Sequence, residues 1–270
     1  MSVASFQKTI WEARLLANFH SVSIADVITT KPVDVQGTKI IFNRVGTGSV
    51  ADYTGTIAWA EIATTPVELT MAQKKYFAFS LSDIDKAQLV GDVVDATTKE
   101  HSDVIAETVD AYVLGKAVTG VNVGNTVGTS AIPKTITKVT EAYDYVVDLG
   151  TKLGKAKVPT SERFAVVNND FLNLLQKDAR FTLNPEVLAN GIVNNAKING
   201  MTVVISEEVG AGKVVALHKS ALGYGKQIDE VEAMRLQTAF ADGVRGLVVY
   251  DAVTLRDSAI AVLFFTVTLA

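Results

Sequence analysis

Residues 82–118 read SDIDKAQLVGDVVDATTKEHSDVIAETVDAYVLGKAV, and this stretch decides the fold. Ser82, Asp83 and Asp85 are typical of a helix start, because acidic side chains suit the positive end of the helix dipole. No proline follows before Val118, and apolar or small residues recur at positions 90, 94, 97, 101, 104, 105, 108 and 112. This spacing predicts one continuous helix with a single apolar face.

The predicted helix is about as long as a compact chain of this size is wide. At 1.5 Å per residue it extends roughly 54 Å, whereas a compact chain of 270 residues is only about 48 Å across. Either the subunit is elongated or the helix breaks. Gly91 and the pair Thr97-Thr98 are its weakest points, since glycine costs about 1 kcal/mol against alanine.

The composition leaves little charge to cover a surface. The chain is 48% hydrophobic and 20% charged, against an ordinary charged fraction of ~25%. Either the core is large or part of the surface is buried against other chains. The absence of cysteine excludes a disulfide framework, a thiolate nucleophile and a zinc finger. A net charge of −4 argues against a protein that reads nucleic acid by neutralising phosphates.

No membrane segment or secretory signal is predicted. The longest apolar run, residues 259–265, is far shorter than the ~20 residues that span a bilayer. The first twenty residues interleave Lys8, Glu12 and Arg14 with apolar side chains, which a secretory signal does not. We therefore expect an intracellular protein, or one that reaches its site without secretion.

The segment before the long helix has a different character. Residues 38–43 and 67–71 are strand-like, and the Gly- and Thr-rich stretch 45–65 between them holds few large apolar groups, among them Tyr53 and Trp59. This is the pattern of a long hairpin, which is marginal in water unless something packs on it. Two interpretations stay open, namely a surface loop or an arm that folds onto another subunit.

The remaining elements are mixed in order, which favours the α+β class. Residues 1–30 predict a short amphipathic helix and a polar connector, residues 119–136 a loop, and residues 138–153 a second amphipathic helix. Asn168 predicts the cap of a helix over 171–179, and Asn199-Gly200 a tight hairpin turn. Strands are expected at 164–167, 192–198, 201–205, 214–217, 231–237, 247–255 and 259–269. The last of these is so apolar that it must be covered on at least one face.

No motif for catalysis or nucleotide binding stands out. The run from Gly210 to Lys213 resembles the end of a phosphate-binding loop, but it lacks the earlier glycine and the final Ser or Thr, so we predict a turn between strands. His101 falls on the apolar stripe of the long helix and is expected to be a packed histidine. The sequence therefore predicts no enzyme, cofactor or metal site.

Charged residues fit structural roles better than chemistry. The pair Lys74-Lys75 suits an edge strand, where charge deters aberrant pairing. Six acidic residues on the long helix predict a solvated face: Asp92, Asp95, Glu100, Asp103, Glu107 and Asp110.

The order of the elements resembles the major capsid proteins of tailed bacteriophages, which have the Hong Kong ninety-seven phage capsid fold. Herpesvirus capsid floors and encapsulins also use this fold. Residues 75–88 (KYFAFSLSDIDKAQ) look like the junction where the extended loop of such proteins returns into the spine helix. Residues 159–167 (PTSERFAVV) with Asn168-Asn169-Asp170 look like the start of their axial domain, and residues 191–205 are similar to the strand pair that follows.

The resemblance implies an α+β subunit in five parts. These are an N-terminal arm (1–36), an extended loop (37–81), the spine helix with the peripheral domain (82–160), an axial domain (161–240) and the return strands of the peripheral domain (241–270). The arm and the loop would reach neighbouring subunits. Candidate inter-subunit contacts are Trp11, Arg44, Tyr53, Trp59, Lys74 and Lys75.

The same resemblance implies the partners. Copies of the chain would form hexamers and pentamers of an icosahedral head, in the virion and, during assembly, in the host cytoplasm. A separate scaffolding protein and a portal would take part, and packaged double-stranded DNA would be contacted weakly and non-specifically. No cofactor, metal or membrane is implied. Two alternatives remain, an encapsulin-type shell that holds enzymes and an unrecognised α+β enzyme.

Overall fold

The computed structural model of the chain describes residues 24–31, 39–45, 50, 52, 55, 64–82, 93–182, 197–237 and 240–268. Its helices are α1 (Ala25–Ile28), α2 (Val93–Thr119), α3 (Val139–Lys155), α4 (Asn169–Gln176) and α5 (Ala179–Thr182). Its strands are β1 (Lys39–Val45), β2 (Thr64–Thr70), β3 (Gln73–Ser82), β4 (Thr126–Val127), β5 (Lys134–Ile136), β6 (Arg163–Val167), β7 (Lys197–Ile198), β8 (Met201–Ile205), β9 (Lys213–His218), β10 (Leu222–Arg235), β11 (Ala241–Thr254) and β12 (Ile260–Val267). The predicted α+β class is confirmed.

A seven-stranded sheet forms the centre of the subunit. Its order is β4-β12-β9-β6-β8-β7, with β5 also paired to β12. Strands β7 and β8 form the predicted hairpin, in which Asn199 has φ 49° and Gly200 has φ 78°. Both angles lie in the left-handed region that a two-residue hairpin turn needs, which explains why Asn-Gly occurs there. The predicted loop at 119–136 is wrong in part, because β4 and β5 within it extend the sheet.

This sheet is buried on both faces. Along β6, Ala165 and Val167 pack into one apolar cluster with α3 and α4, while Val166 packs into another with α2. Strands β9 and β12 alternate in the same way. A strand covered on both sides needs apolar residues at every position, and this explains the continuous apolar runs of the sequence. The C-terminal strand, expected to be covered on at least one face, is covered on two.

Local signals placed the flanking helices well. The helix predicted over 138–153 is α3 (Val139–Lys155). The helix predicted over 171–179 is α4 (Asn169–Gln176), which begins after Asn168. The Oδ1 of Asn168 accepts a hydrogen bond from the backbone N–H of Phe171 at 3.0 Å, as predicted for a cap. The predicted turn before β9 is also confirmed, with Gly210 at φ 81° and Gly212 at φ 67°.

The long helix α2 is present over the part that the structure describes, but it buries a different face from the predicted one. Val104 is 50% exposed, whereas the buried side chains are Ala106, Val109, Asp110, Val113, Leu114 and Ala117. The predicted stripe counted threonines as small residues of the core. Thr108 instead stays exposed and donates its hydroxyl to the carbonyl of Val104 at 2.8 Å.

The predicted solvated acidic face of α2 is correct only in part. Glu100 and Glu107 are exposed, and Asp103 is partly buried. Asp110 contradicts the prediction because its residue is only 6% exposed. The side chains of Asp92 and Asp95 lie outside the described part of the chain.

A three-stranded sheet, of order β10-β11-β3, packs beside α2. The hydroxyl of Tyr112 on α2 donates to Asp251 of β11 at 2.7 Å. Burial, followed by this hydrogen bond, raises the pKa of Tyr112 to about 12, so the phenol stays protonated and remains a donor at neutral pH. The bond therefore fastens the helix to the sheet.

Residues 24–31 differ from the predicted polar connector. Ala25, Ile28 and Thr29 are fully buried, and the first two belong to the same cluster as α2. Thr30 pairs with Gly223 of β10. The predicted N-terminal helix, with Trp11, lies outside the described residues.

Candidate assembly surfaces

Strands β1 and β2 form an antiparallel ribbon, as predicted, from Lys39↔Thr70 to Val45↔Thr64. We call residues 39–45 and 64–70 the ribbon. One face of it carries Ile40 and Leu69, which join Met71 and Val249 in a small buried cluster against β11. The other face carries Ile41, which is 57% exposed. Within the part of the chain that the structure describes, the ribbon thus packs on the subunit by this one face.

The ribbon sits on two glycines of β10. A Cβ added at Gly225 would lie 2.6 Å from Met71 Cε and 2.8 Å from Ile40 Cδ1. At Gly223 it would lie 2.8 Å from the ring of Phe42. These distances are shorter than van der Waals contact, so the absence of a side chain lets the ribbon approach the strand. We call Gly223 and Gly225 the glycine seat.

Replacing Gly225 with valine is expected to lower the free energy of unfolding by about 2 kcal/mol, because overpacking forces the neighbouring side chains apart. Denaturant titration followed by circular dichroism measures this. Gly115→Ala is the control, since nothing lies within 4 Å of a Cβ there and alanine favours the helix. Equal stability of the two variants would show that the ribbon does not press on the seat.

The predicted lysine pair lies on an outer strand. Lys74 and Lys75 are both exposed on β3, the strand at one side of the three-stranded sheet. Their backbones pair with Val249 and Val248 of β11, and no other described strand pairs with β3. The edge position is confirmed, and contact with another subunit stays a prediction.

Of the other candidate contact residues the structure says little. Arg44 lies in β1 opposite Thr65, and its side chain is outside the described part. Tyr53 and Trp59 also lie outside the described residues; in the sequence they fall between the two ribbon strands.

Several exposed apolar side chains were missed by sequence reasoning. Tyr76 follows the lysine pair and is 82% exposed, as is Phe240 just before β11. Val123 and Ile132 are exposed on the connection between α2 and α3. Their only signal in the sequence is an apolar residue within two positions of a charged, glycine or proline residue, which is too common to be specific. Single exposed apolar residues are ordinary on a monomer. In a subunit that self-associates, such residues can be buried in contacts between copies.

The histidines described by the structure have structural roles. His101 packs its ring on Phe79 at 4.8 Å and Phe77 at 5.9 Å between centroids, which confirms a packed histidine. His218 is buried, and its Nδ1 accepts from the backbone N–H of Ser220 at 3.1 Å. Burial lowers the pKa of His218, so the ring is neutral at pH 7 and can accept that bond.

No arrangement typical of catalysis is found in the described part of the chain. A cleft of about 680 Å³ is lined by Asn168, Asp170, Lys177 and Lys213 among others, and no histidine takes part. Burial, and then the nearby carboxylates of Glu107, Asp110 and Glu207, raise the pKa of Glu208. That side chain lies away from the cleft lining. Among the described residues there is no group of three or more metal-ligating side chains, and no helix long and apolar enough to cross a membrane.

Three features fit a subunit of a larger assembly. They are a central sheet buried on both faces, a ribbon held by one face, and exposed apolar side chains. The sequence profile described as "Phage capsid protein" matches residues 64–263. The chain belongs to the phage capsid protein family. As a major capsid protein it has a structural role, associates with its own copies and forms the icosahedral shell of a virion.

Solved structures share the fold of this capsid protein. A structure from Mycobacterium phage Che8 is 27% identical, with a TM-score of 0.69 over 86% of this chain and 85% of that chain. The capsid structure of cyanophage P-SCSP1u is 16% identical, with a TM-score of 0.71 over 91% of this chain and 89% of that chain. The predicted resemblance to the Hong Kong ninety-seven phage capsid fold is confirmed. A search of curated proteins finds no match.

The encapsulin alternative is not favoured. A virus-like particle from Pyrococcus furiosus has the same fold, at 12% identity and a TM-score of 0.62 over 95% of this chain and 99% of that chain. At that identity the likeness shows the fold alone. The family match is what separates the phage capsid from other shells.

Proposed function

We propose that copies of this capsid protein form the hexamers and pentamers of a phage head around double-stranded DNA, and that the ribbon joins neighbouring copies. The observation that carries the proposal is the ribbon's attachment to its own subunit by one face. A two-stranded ribbon is marginally stable alone. The exposed Ile41 on its other face supports a second copy as the cover.

The five-part division predicted from sequence gives each part a task. The arm (1–36) and the extended loop (37–81) reach neighbours, except that residues 24–31 and β3 pack on their own subunit. The spine helix and peripheral domain (82–160), with the return strands (241–270), form the shell floor, except that β12 of the return strands pairs with β9 and lies in the sheet of the axial domain. The axial domain (161–240) surrounds the local symmetry axis. Trp11, Arg44, Tyr53, Trp59, Lys74 and Lys75 are the proposed contact residues.

The remaining partners are proposed from the net charge and from the resemblance to phage capsid proteins. A net charge of −4 supports sparse, non-specific contact with DNA rather than binding driven by phosphate neutralisation. A separate scaffolding protein and a portal direct assembly, which takes place in the host cytoplasm. The protein catalyses no reaction and takes no cofactor.

The purified chain is expected to form capsomers or large particles. Light scattering and negative-stain microscopy measure this directly. Compact monomers at high concentration would contradict the proposal. Particles made in a cell during infection are expected to protect DNA from nuclease, whereas particles filled with protein cargo and no DNA would favour the nanocompartment.

A further inference from the structure

The first described segment, residues 24–31, is bound to its own subunit by backbone contacts. The N–H of Thr30 donates to the carbonyl of Leu222 at 2.9 Å, and the N–H of Tyr224 donates to the carbonyl of Thr30 at 3.2 Å. The hydroxyl of Thr30 also donates to the carbonyl of Lys219 at 2.9 Å. We call residues 24–31 the root. They lie within the predicted arm (1–36), after its first 23 residues.

Asp110 of α2 holds the other end of the root. Its Oδ2 accepts from the backbone N–H of Ile24 at 3.0 Å, and its Oδ1 accepts from that of Ala25 at 3.0 Å. Asp110 is buried, and a buried carboxylate is costly unless it is hydrogen-bonded. Both oxygens are engaged by a segment more than eighty residues away, which is a specific and long-range contact.

A second charged contact lies beside the first. Asp26 of the root accepts from Lys226 Nζ of β10 at 2.7 Å, in a largely buried pair, and Lys31 Nζ lies 3.5 Å from the same carboxylate. The Tyr224 hydroxyl is buried nearby, with no hydrogen-bond partner in the described part of the chain. The root is thus fixed by charged groups from both α2 and β10.

We infer that Asp110 is the positioning residue of the N-terminal arm. Its two hydrogen bonds to Ile24 and Ala25 keep the root on its own subunit. The inference rests on the proposed function in one respect, namely that the segment before Ile24 reaches a neighbouring copy. Residues 24–31 therefore act as a fixed part of the body, although sequence reasoning placed them in the arm.

Asn in place of Asp110 changes this contact with almost no change in shape. A carboxylate accepts with both oxygens, whereas an amide has one oxygen and one NH₂ group. The NH₂ group would face one of the two backbone N–H donors, so one hydrogen bond is replaced by a repulsive pair. Hydrogen bonds to charged groups are also stronger than those to neutral ones.

Hydrogen exchange measured by mass spectrometry on the full-length chain tests the inference. In Asp110→Asn, amides of residues 24–31 are expected to exchange about tenfold to a hundredfold faster. Amides of β12 are expected to be unchanged. Glu107→Gln is the matched control, because it removes a carboxylate from an exposed position of the same helix and should leave the root protected.

Two outcomes would overturn the inference. Equal exchange of the root in the two variants would show that Asp110 does not hold it. Faster exchange of the root and β12 together would show that Asp110 supports the whole fold rather than the root. If Asp110→Asn does not fold, the unmodified chain is used in low denaturant. The root amides should then stay protected up to a denaturant concentration close to that of β12, and opening of the root at much lower denaturant would contradict the inference.

A truncation that removes residues 1–23 separates this inference from the proposed function. If the truncated chain assembles normally while Asp110→Asn loosens the root, the role of the arm is wrong and the positioning role of Asp110 stands. If truncation stops assembly while the root is unaffected by Asp110→Asn, the arm's role stands and Asp110 is excluded.

Discussion

Deleting residues 46–60 is expected to abolish particle formation while the subunit stays folded. Among the described residues, the buried clusters are built by other elements, and Val45 and Thr64 pair at the end of the ribbon. Residues 61–63 then close it, a length common in hairpins. Loss of the segment removes the proposed contact with a neighbouring copy. Light scattering should show monomers or small oligomers, with a circular dichroism spectrum close to that of the full chain.

The matched control replaces residues 46–60 with a Gly/Ser sequence of the same length. It keeps the reach of the segment but removes Tyr53 and Trp59. Assembly by this variant would show that length matters and side chains do not, whereas failure assigns the contact to the side chains. Normal particles from the deletion itself would show that the segment is unnecessary, and a loss of folded signal would place it in the core.

Replacing Arg163 with methionine is expected to have the largest effect on stability. The buried guanidinium donates from Nε to the carbonyl of Pro159 at 2.7 Å, and from a terminal nitrogen to that of Val158 at 2.6 Å. A longer contact of 3.4 Å reaches the carbonyl of Gly150 in α3. Methionine fills part of the volume but removes the donor of these bonds, and losing hydrogen bonds from a charged, buried donor costs about 3 kcal/mol together.

For a chain of this size that loss lowers the melting temperature by roughly 8 °C. Thermal unfolding followed by circular dichroism measures it, with variant and parent compared in the same oligomeric state. Arg256→Met is the control, because it makes the same replacement at an exposed position. A drop of equal size in the control would show that loss of positive charge, rather than of the buried contacts, causes the effect.

The parts of the fold set by neighbours in sequence were predictable. The Asn199-Gly200 turn, the Asn168 cap and the amphipathic pattern of α3 each depend on a few adjacent residues. The resemblance to capsid proteins likewise followed from the order of elements along the chain. These features do not depend on which elements of the fold pack against one another.

The parts set by distant contacts were not predictable. The buried face of α2 is chosen by the root and the two sheets, so counting Thr108 as part of the stripe gave the wrong face. Asp110 looked like one more acidic side chain because its donors, Ile24 and Ala25, are more than eighty residues away. For the candidate contacts, sequence placed Lys74 and Lys75 at an edge but missed Tyr76, since exposure depends on how β3 pairs.

The glycine seat has a consequence for how this protein can change its sequence. A side chain at Gly223 or Gly225 would meet the ends of side chains already in place, so these neighbours would have to move to accept it. The ribbon residues above them, Ile40 and Leu69, need only an aliphatic side chain of similar volume. Substitutions in this contact should therefore be tolerated better in the ribbon than at the two glycines beneath it.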